Sequence, residues 1–226
     1  NARYAWWDCC SWQWHTWHLS SAGAKTSLPE TSSPAWRSCS APAASVAWFG
    51  GGKGAVKEMF RHIAKPAITS LGTCSSVATI PTNMEEAEAT GISKDVSEIV
   101  VPLGATMHMD GSCFSCILKI TFLFGVFGRP FDSIGDMALM VIVAVLSSVG
   151  MSGVPGGGYI GEFIMCSVFF PDQLAIAYPI AITIGNLVDP PATMINSAGD
   201  YVVSFLVSRF VDGKDWFQKV LASRNA

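Results

Sequence analysis

Charged residues are scarce in this chain. Lys and Arg number 14 and Asp and Glu 17 in 226 residues, a charged share of 14% against roughly a quarter in ordinary soluble domains. With a net charge of only −3 and no Lys/Arg-rich run, the electrostatic footprint of a nucleic-acid binder is missing. A disulfide framework is missing too: Cys9 and Cys10 are adjacent, Cys39 stands alone, and Cys74, Cys113, Cys116 and Cys166 lie in or beside apolar stretches. Cys113 and Cys116 form a C-x-x-C without the second ligand pair of a zinc site or the βαβ context of a redox motif, so they read as small helix-packing residues. The first residues lack an initiating Met and the basic start and continuous apolar core of a signal peptide. The chain therefore reads as a fragment.

What is present is apolar. Half of the residues are hydrophobic, and the text from Ala55 onward is that of a membrane-embedded protein. Residues 1–55 differ: seven of the eight tryptophans (Trp6, Trp7, Trp12, Trp14, Trp17, Trp36 and Trp48) stand there among Ser, Ala and Pro, with neither helical nor alternating period. This segment is left unassigned, either an aromatic interfacial anchor or a stretch that is disordered or not native to the protein. Gly50–Gly54 lacks the G-K-[ST] of a phosphate loop, since Gly54 follows Lys53, and reads as a flexible junction.

The rest is organised around 102–112, a polar break inside the apolar run Ile99–Phe127. About 20 apolar residues cross a bilayer, yet the middle of this run carries Gly104, Thr106, His108, Asp110, Gly111 and Ser112. Irregular backbone and a carboxylate persist at membrane depth only where protein or a water-filled cavity satisfies them, so the break reads as a binding site. Before it, two short arms flank the Ser-rich stretch 72–81 and close at Gly91; neither is long enough to span, which suggests a re-entrant hairpin over about 56–90. After it the pattern recurs. Two half-length arms surround the Gly-rich tip 150–158, a second hairpin over about 136–170, and a long apolar run over about 173–211 is interrupted at 189–200, where Thr193, Asn196 and Asp200 loosely echo Thr106, His108 and Asp110. The expected fold is an all-α membrane protein with two re-entrant hairpins and two polar-interrupted helices (about 95–127 and 173–211) in inverted repeat. The membrane-embedded part spans 56–221, and Arg209, Lys214, Lys219 and Arg224 put the tail, 212–226, in the cytoplasm.

Ser75-Ser-Val-Ala-Thr-Ile-Pro81, Pro102-Leu-Gly-Ala-Thr-Met-His-Met-Asp-Gly111, Gly153-Val-Pro-Gly-Gly-Gly158 and the Asp189…Asn196…Asp200 spacing resemble the dicarboxylate/amino acid:cation symporter family, the glutamate transporters. The resemblance implies the mobile transport domain of a multi-pass protein of the plasma or inner membrane, its six scaffold helices without counterpart in this chain, and a homotrimer for the intact member. It implies no enzyme, but uptake of an amino acid or dicarboxylate coupled to sodium. By similarity, the backbone of Gly104, His108 and Asn196 with the Asp200 carboxylate form one sodium site. Thr106 with the backbone of Ser148, Val149 and Met151 form a second, and Asp110 serves a third. Ser75 and Ser76 at the first tip and Val154 to Gly158 at the second would hold a substrate carboxylate on helix N-termini, with Ser112, Thr193 and Asn196 adding hydrogen bonds. Asp189 takes the place of the acid that pairs with a substrate amino group, or simply breaks the helix beside Pro190 and Pro191.

Two departures narrow the expectation. Ala192 stands where acidic-amino-acid transporters carry an arginine. A carboxylate buried without its partner costs several kcal/mol, so the substrate shifts toward a small neutral amino acid. His108 replaces the family's usual Asn, which brings in a group that titrates near neutrality and allows protons to contribute. Rival readings are an inactive transporter remnant and an intramembrane serine protease, the latter because Gly150-Met-Ser-Gly153 matches G-x-S-G with His108 as base.

Overall fold

In a computed structural model, described over residues 34–130, 133–151 and 157–224, the chain is helical, with no strand among the described residues. The elements are α1 (Pro34–Gly51), α2 (Ala55–His62), α3 (Ala64–Thr73), α4 (Ser76–Thr90), α5 (Lys94–Met107), α6 (Asp110–Val126), α7 (Ile134–Gly150), α8 (Gly158–Phe169), a 3-10 turn (Pro171–Gln173), α9 (Leu174–Val211) and α10 (Trp216–Arg224).

Helices α2, α3 and α4 occupy the region of the expected first hairpin, with Cys74 (φ 49°) turning the chain between α3 and α4. Ser75 starts α4: its Oγ accepts a hydrogen bond from the Ala78 N–H at 3.1 Å, satisfying one of the orphan donors of a helix N-terminus. Gly91 ends it at φ 102°, where the Gly91 N–H returns to the carbonyls of Ala87 and Glu88. A side chain at Gly91 would also meet Val220 of α10, its Cβ 2.9 Å from Cγ2.

Helices α5 and α6 form one 33-residue element, Lys94–Val126, long and apolar enough to cross a membrane. At 1.5 Å per residue it reaches about 50 Å. Its break falls at His108 and Met109, whose backbone leaves the helical region. The arms expected for the second hairpin are α7 and α8, and residues 152–156 of its expected tip, 150–158, lie outside the described residues. Helix α8 with the following element passes the same length and composition test as a pair bent by 118°. On α7, Ile142, Val145, Leu146 and Val149 are exposed, an apolar face suited to lipid or another apolar partner.

Two expectations are corrected. The run 173–211 is not interrupted, because α9 is one 38-residue helix that contains Pro179, Pro190 and Pro191. Prolines 190 and 191 remove the donors to the carbonyls of Asn186 and Leu187, both exposed residues, so the loss falls on an open side of the helix. The polar residues Thr193, Asn196, Ser197, Asp200, Ser204 and Ser208 are buried. Their spacing of three and four puts them on one face of a continuous helix. The second correction concerns the unassigned N-terminal segment: its residues 34–51 form α1, which packs on α9 so closely that a Cβ at Gly50 would lie 2.7 Å from the Phe205 carbonyl carbon. Residues 1–33 lie outside the described residues. The tail likewise holds a helix, α10, docked through buried Trp216 and Phe217, with Trp216 Nε1 donating to the Gly50 carbonyl at 3.0 Å.

Two apolar clusters divide the interior. One gathers Ile120, Leu123 and Phe124 of α6 with Met165 and Phe169 of α8 and Ala177 and Ala181 of α9. The other gathers Ala47, Met59 and Val96 with Tyr201, Val202 and Phe205 of α9 and Phe217 of α10. Because α5–α6 runs from the second cluster to the first and α9 from the first to the second, the two elements are antiparallel. Their polar stretches meet between the clusters.

Candidate functional site

The meeting point is set by two glycines. A Cβ at Gly104 would lie 2.6 Å from Asp200 Oδ1 and 2.9 Å from its Cγ, and one at Gly199 would lie 2.6 Å from His108 Nδ1. Each helix therefore yields space to a polar side chain of the other. Asp200 is 1% exposed, and neither of its carboxylate oxygens has a hydrogen-bond partner among the described residues. His108 Nδ1 stands 3.6 Å from Asp200 Oδ1 and 3.8 Å from Asp110 Oδ1, too far for hydrogen bonds. Two carboxylates thus converge on one point at a helix break, one of them with its whole acceptor capacity unspent. Burying such a group without a counter-charge is expensive. The arrangement suits a small hard cation, which takes oxygen ligands from carboxylates and carbonyls.

Asn196 holds the break in shape. Its Oδ1 accepts from the N–H groups of Gly111 (2.8 Å) and Ser112 (3.3 Å), and its Nδ2 donates to Ser112 Oγ at 2.9 Å. These are donors at the start of α6 that no preceding turn can satisfy, so α9 supplies the cap that α6 lacks. Thr193 is buried beside it in sequence.

Other expected residues are spread more widely. Ser75 and Ser76 are buried at the first tip, and Asp189, half-buried, lies within electrostatic reach of Cys74 at that tip and of Lys119 on α6. Thr106 is exposed, its Oγ1 turned back to the Leu103 carbonyl at 2.9 Å, and among the described residues α5 does not pack extensively on α7. Ser148 is buried and 2.9 Å from Cys113 Sγ, Met151 is buried, and Val149 is exposed. The second set of proposed sodium ligands is therefore not assembled as the first is. Gly158 opens α8, and a Cβ there would meet nothing within 4 Å among the described residues. Val154 lies outside the described residues, as does Ser152 of the protease reading.

A match to the description "sodium:dicarboxylate symporter family" covers residues 43–210. The chain belongs to that family. Among curated relatives, the C4-dicarboxylate transport protein of Bordetella avium is 31% identical over 153 residues, 68% of this chain and 34% of that protein. The neutral amino acid transporter B(0) of Rattus norvegicus is 32% identical over 157 residues, 66% of this chain and 27% of that protein, and its Homo sapiens counterpart is 32% identical over 154 residues. The chain thus spans about a third or less of the curated relatives it matches. As a sodium:dicarboxylate symporter family member it falls among membrane transporters and not among enzymes.

Three polar contacts of this symporter family member were not anticipated. Asn83 of α4 donates to the Ser197 carbonyl (2.9 Å) and to Ser197 Oγ (3.0 Å), Cys113 meets Ser148, and Lys119 meets Glu162. A lone lysine inside the apolar run that ends at Phe127 was the available signal for the last.

Proposed function

We propose that this chain carries the binding half of a secondary active symporter that couples sodium entry to uptake of an amino acid, small and neutral, or of a dicarboxylate. The observation that carries the reading is Asp200, buried with both oxygens unpartnered beside the break at His108 and Met109. Gly104, His108 and Asn196 with Asp200 fit sodium as the transported ion, and Asp110 stands at the rim of the same point. Thr106 with Ser148, Val149 and Met151 would complete a second ion position when the second tip closes. Ser75, Ser76, Ser112, Asp189, Thr193, Asn196, Val154 and Gly158 would hold the substrate. The relatives support both substrate classes, one being named for C4-dicarboxylates and one for neutral amino acids. Burial of Ala192 without a cation beside the Gly111 backbone favours the neutral substrate. The α3–α4 and α7–α8 hairpins would be re-entrant, the two halves inverted repeats, the C-terminus cytoplasmic and the intact assembly trimeric.

The test is uptake of radiolabelled amino acids and dicarboxylates into proteoliposomes, by this chain and by a version extended with the upstream helices of the Bordetella avium relative. Sodium-dependent uptake abolished by Asp200→Asn supports the reading. Absence of sodium-dependent uptake and sodium binding in both forms overturns it. Uptake driven by a proton gradient alone would put His108, poised between two carboxylates, in sodium's place.

A further inference from the structure

Lys119 of α6 and Glu162 of α8 form an ion pair of 2.9 Å, each side chain only 3% exposed. One carboxylate oxygen alone takes part in it: Glu162 Oε2 is buried without a hydrogen-bond partner among the described residues. The Glu162 carboxylate sits against α9 at Gly185, where a Cβ would lie 2.8 Å from Cδ and 3.3 Å from Oε2. Asp189 follows one turn along α9, on the same face as Gly185. The register between α6 and α9 agrees with this placement. Asn196 is bonded to Ser112, the two helices are antiparallel, and two turns from that bond, about 10 Å, lead to Lys119 on one helix and Asp189 on the other. Lys119 thus has two carboxylates within electrostatic reach. It is paired with Glu162, and the half-buried Asp189 has no ion pair among the described residues.

We propose that Glu162 is a specificity-determining residue: by holding Lys119, it leaves the Asp189 carboxylate open to the ammonium group of an amino acid. The proposal rests on the reading of Asp189 as a substrate residue, and it narrows the substrate to one that carries an amine. Two carboxylates face one lysine ammonium, so this end of the site holds one negative charge in excess. An incoming ammonium balances that charge, whereas a dicarboxylate adds to it. Lysine carries its charge on a flexible four-carbon stem, so loss of the Glu162 charge would turn Lys119 toward Asp189. Burial enforces the exchange, because an ammonium taken out of water without a counter-charge is strongly destabilising.

The experiment uses the full chain in lipid nanodiscs and reads two quantities, equilibrium binding of radiolabelled L-alanine in sodium chloride and the thermal unfolding midpoint without ligand. Glu162→Gln should fold, because Asp189 takes over as the partner of Lys119. It should weaken L-alanine binding by about 10-fold or more, the loss expected when a hydrogen bond to a charged group is given up. K119M/E162L removes the competing ammonium and should bring the affinity back. A purely structural role for the pair would leave K119M/E162L as weak as Glu162→Gln, and that outcome overturns the proposal. The unfolding measurement needs neither substrate nor the apolar double variant. Asp189→Asn alone should shift the midpoint little, and E162Q/D189N, which strands Lys119, should lower it by more than the two single shifts together. Additive shifts, or a Glu162→Gln chain that does not fold, overturn the proposal. Non-additive shifts in a folded chain that binds neither L-alanine nor succinate would overturn the symporter reading and leave the exchange of Lys119 between its two carboxylates in place.

Discussion

Replacing Gly104 with Ala adds one methyl group at the point where α5 crosses α9. That methyl would lie 2.6 Å from Asp200 Oδ1, 2.9 Å from Cγ and 3.2 Å from Cβ. Rotating the carboxylate relieves only the first of these contacts, so the residue or the helix must move. Overpacking of this kind costs about 1–3 kcal/mol, whereas the better helix propensity of Ala returns at most about 1 kcal/mol. Net stability is thus a poor readout. Ion affinity is a better one, because the displaced group is the candidate ligand. If the strain falls on the sodium-bound state, the affinity drops by about 5-fold to about 150-fold, at 1.4 kcal/mol for each factor of ten. Equilibrium binding of radioactive sodium to the purified chain measures this, with Gly72→Ala as control, since nothing lies within 4 Å of a Cβ there. Unchanged sodium affinity in Gly104→Ala would refute the assignment of Asp200 as the ion's carboxylate.

Other outcomes follow from the same geometry. Asn196→Ala removes the cap on α6 and should lower stability in detergent unfolding by about 0.5–2 kcal/mol, whereas an unchanged midpoint would mean that water replaces the amide. Ala192→Arg should make uptake depend on an acidic substrate, because the buried guanidinium then needs a carboxylate partner; a substrate panel with unaltered preference would contradict this. Outside the spanning segments, burial alone would raise the Glu86 carboxyl, but hydrogen bonds from His62 (2.6 Å) and Lys65 (3.2 Å) outweigh it and hold the group below its usual 4.5. A depressed carboxyl contributes stability that is present above its unfolded value and lost as the pH falls through its folded one. Thermal unfolding across the acid range should show that loss, and Glu86→Gln should flatten it.

The break at 104–112 was legible because Gly, His and Asp in an apolar run have few structural explanations in a membrane. Residues 76–81 of the Ser-rich stretch belong to α4 itself, whose end at Gly91 was legible from Gly at its accustomed helix boundary. The continuity of α9 was not. Asp189, the two prolines and Asn196 look like the vocabulary of a loop, yet positions 193, 196, 197, 200, 204 and 208 recur at helical spacing. An interrupted helix and a helix with a polar stripe share composition, and only the spacing separates them. Lys119, a lone charge in an apolar run, pairs with Glu162 43 residues away, and no local rule joins them. Nor does any local rule tell that Asn196 caps a different helix.

Helix α9 packs on α1, α3, α4, α5, α6 and α8, and over residues 193–208 its buried surface includes a polar stripe. During synthesis the other six helices emerge from the ribosome first and must wait with their α9-facing surfaces uncovered. When residues 193–208 arrive, they meet the membrane as a segment carrying a row of hydroxyls, an amide and a carboxylate, a poor candidate for insertion by itself. It is accepted only where earlier helices already offer partners, such as Asn83 for Ser197 and Thr90 for Tyr201. Assembly is therefore sequential by chemical necessity, and a substitution in α4 can fail at the stage of α9 insertion, long after α4 itself is made.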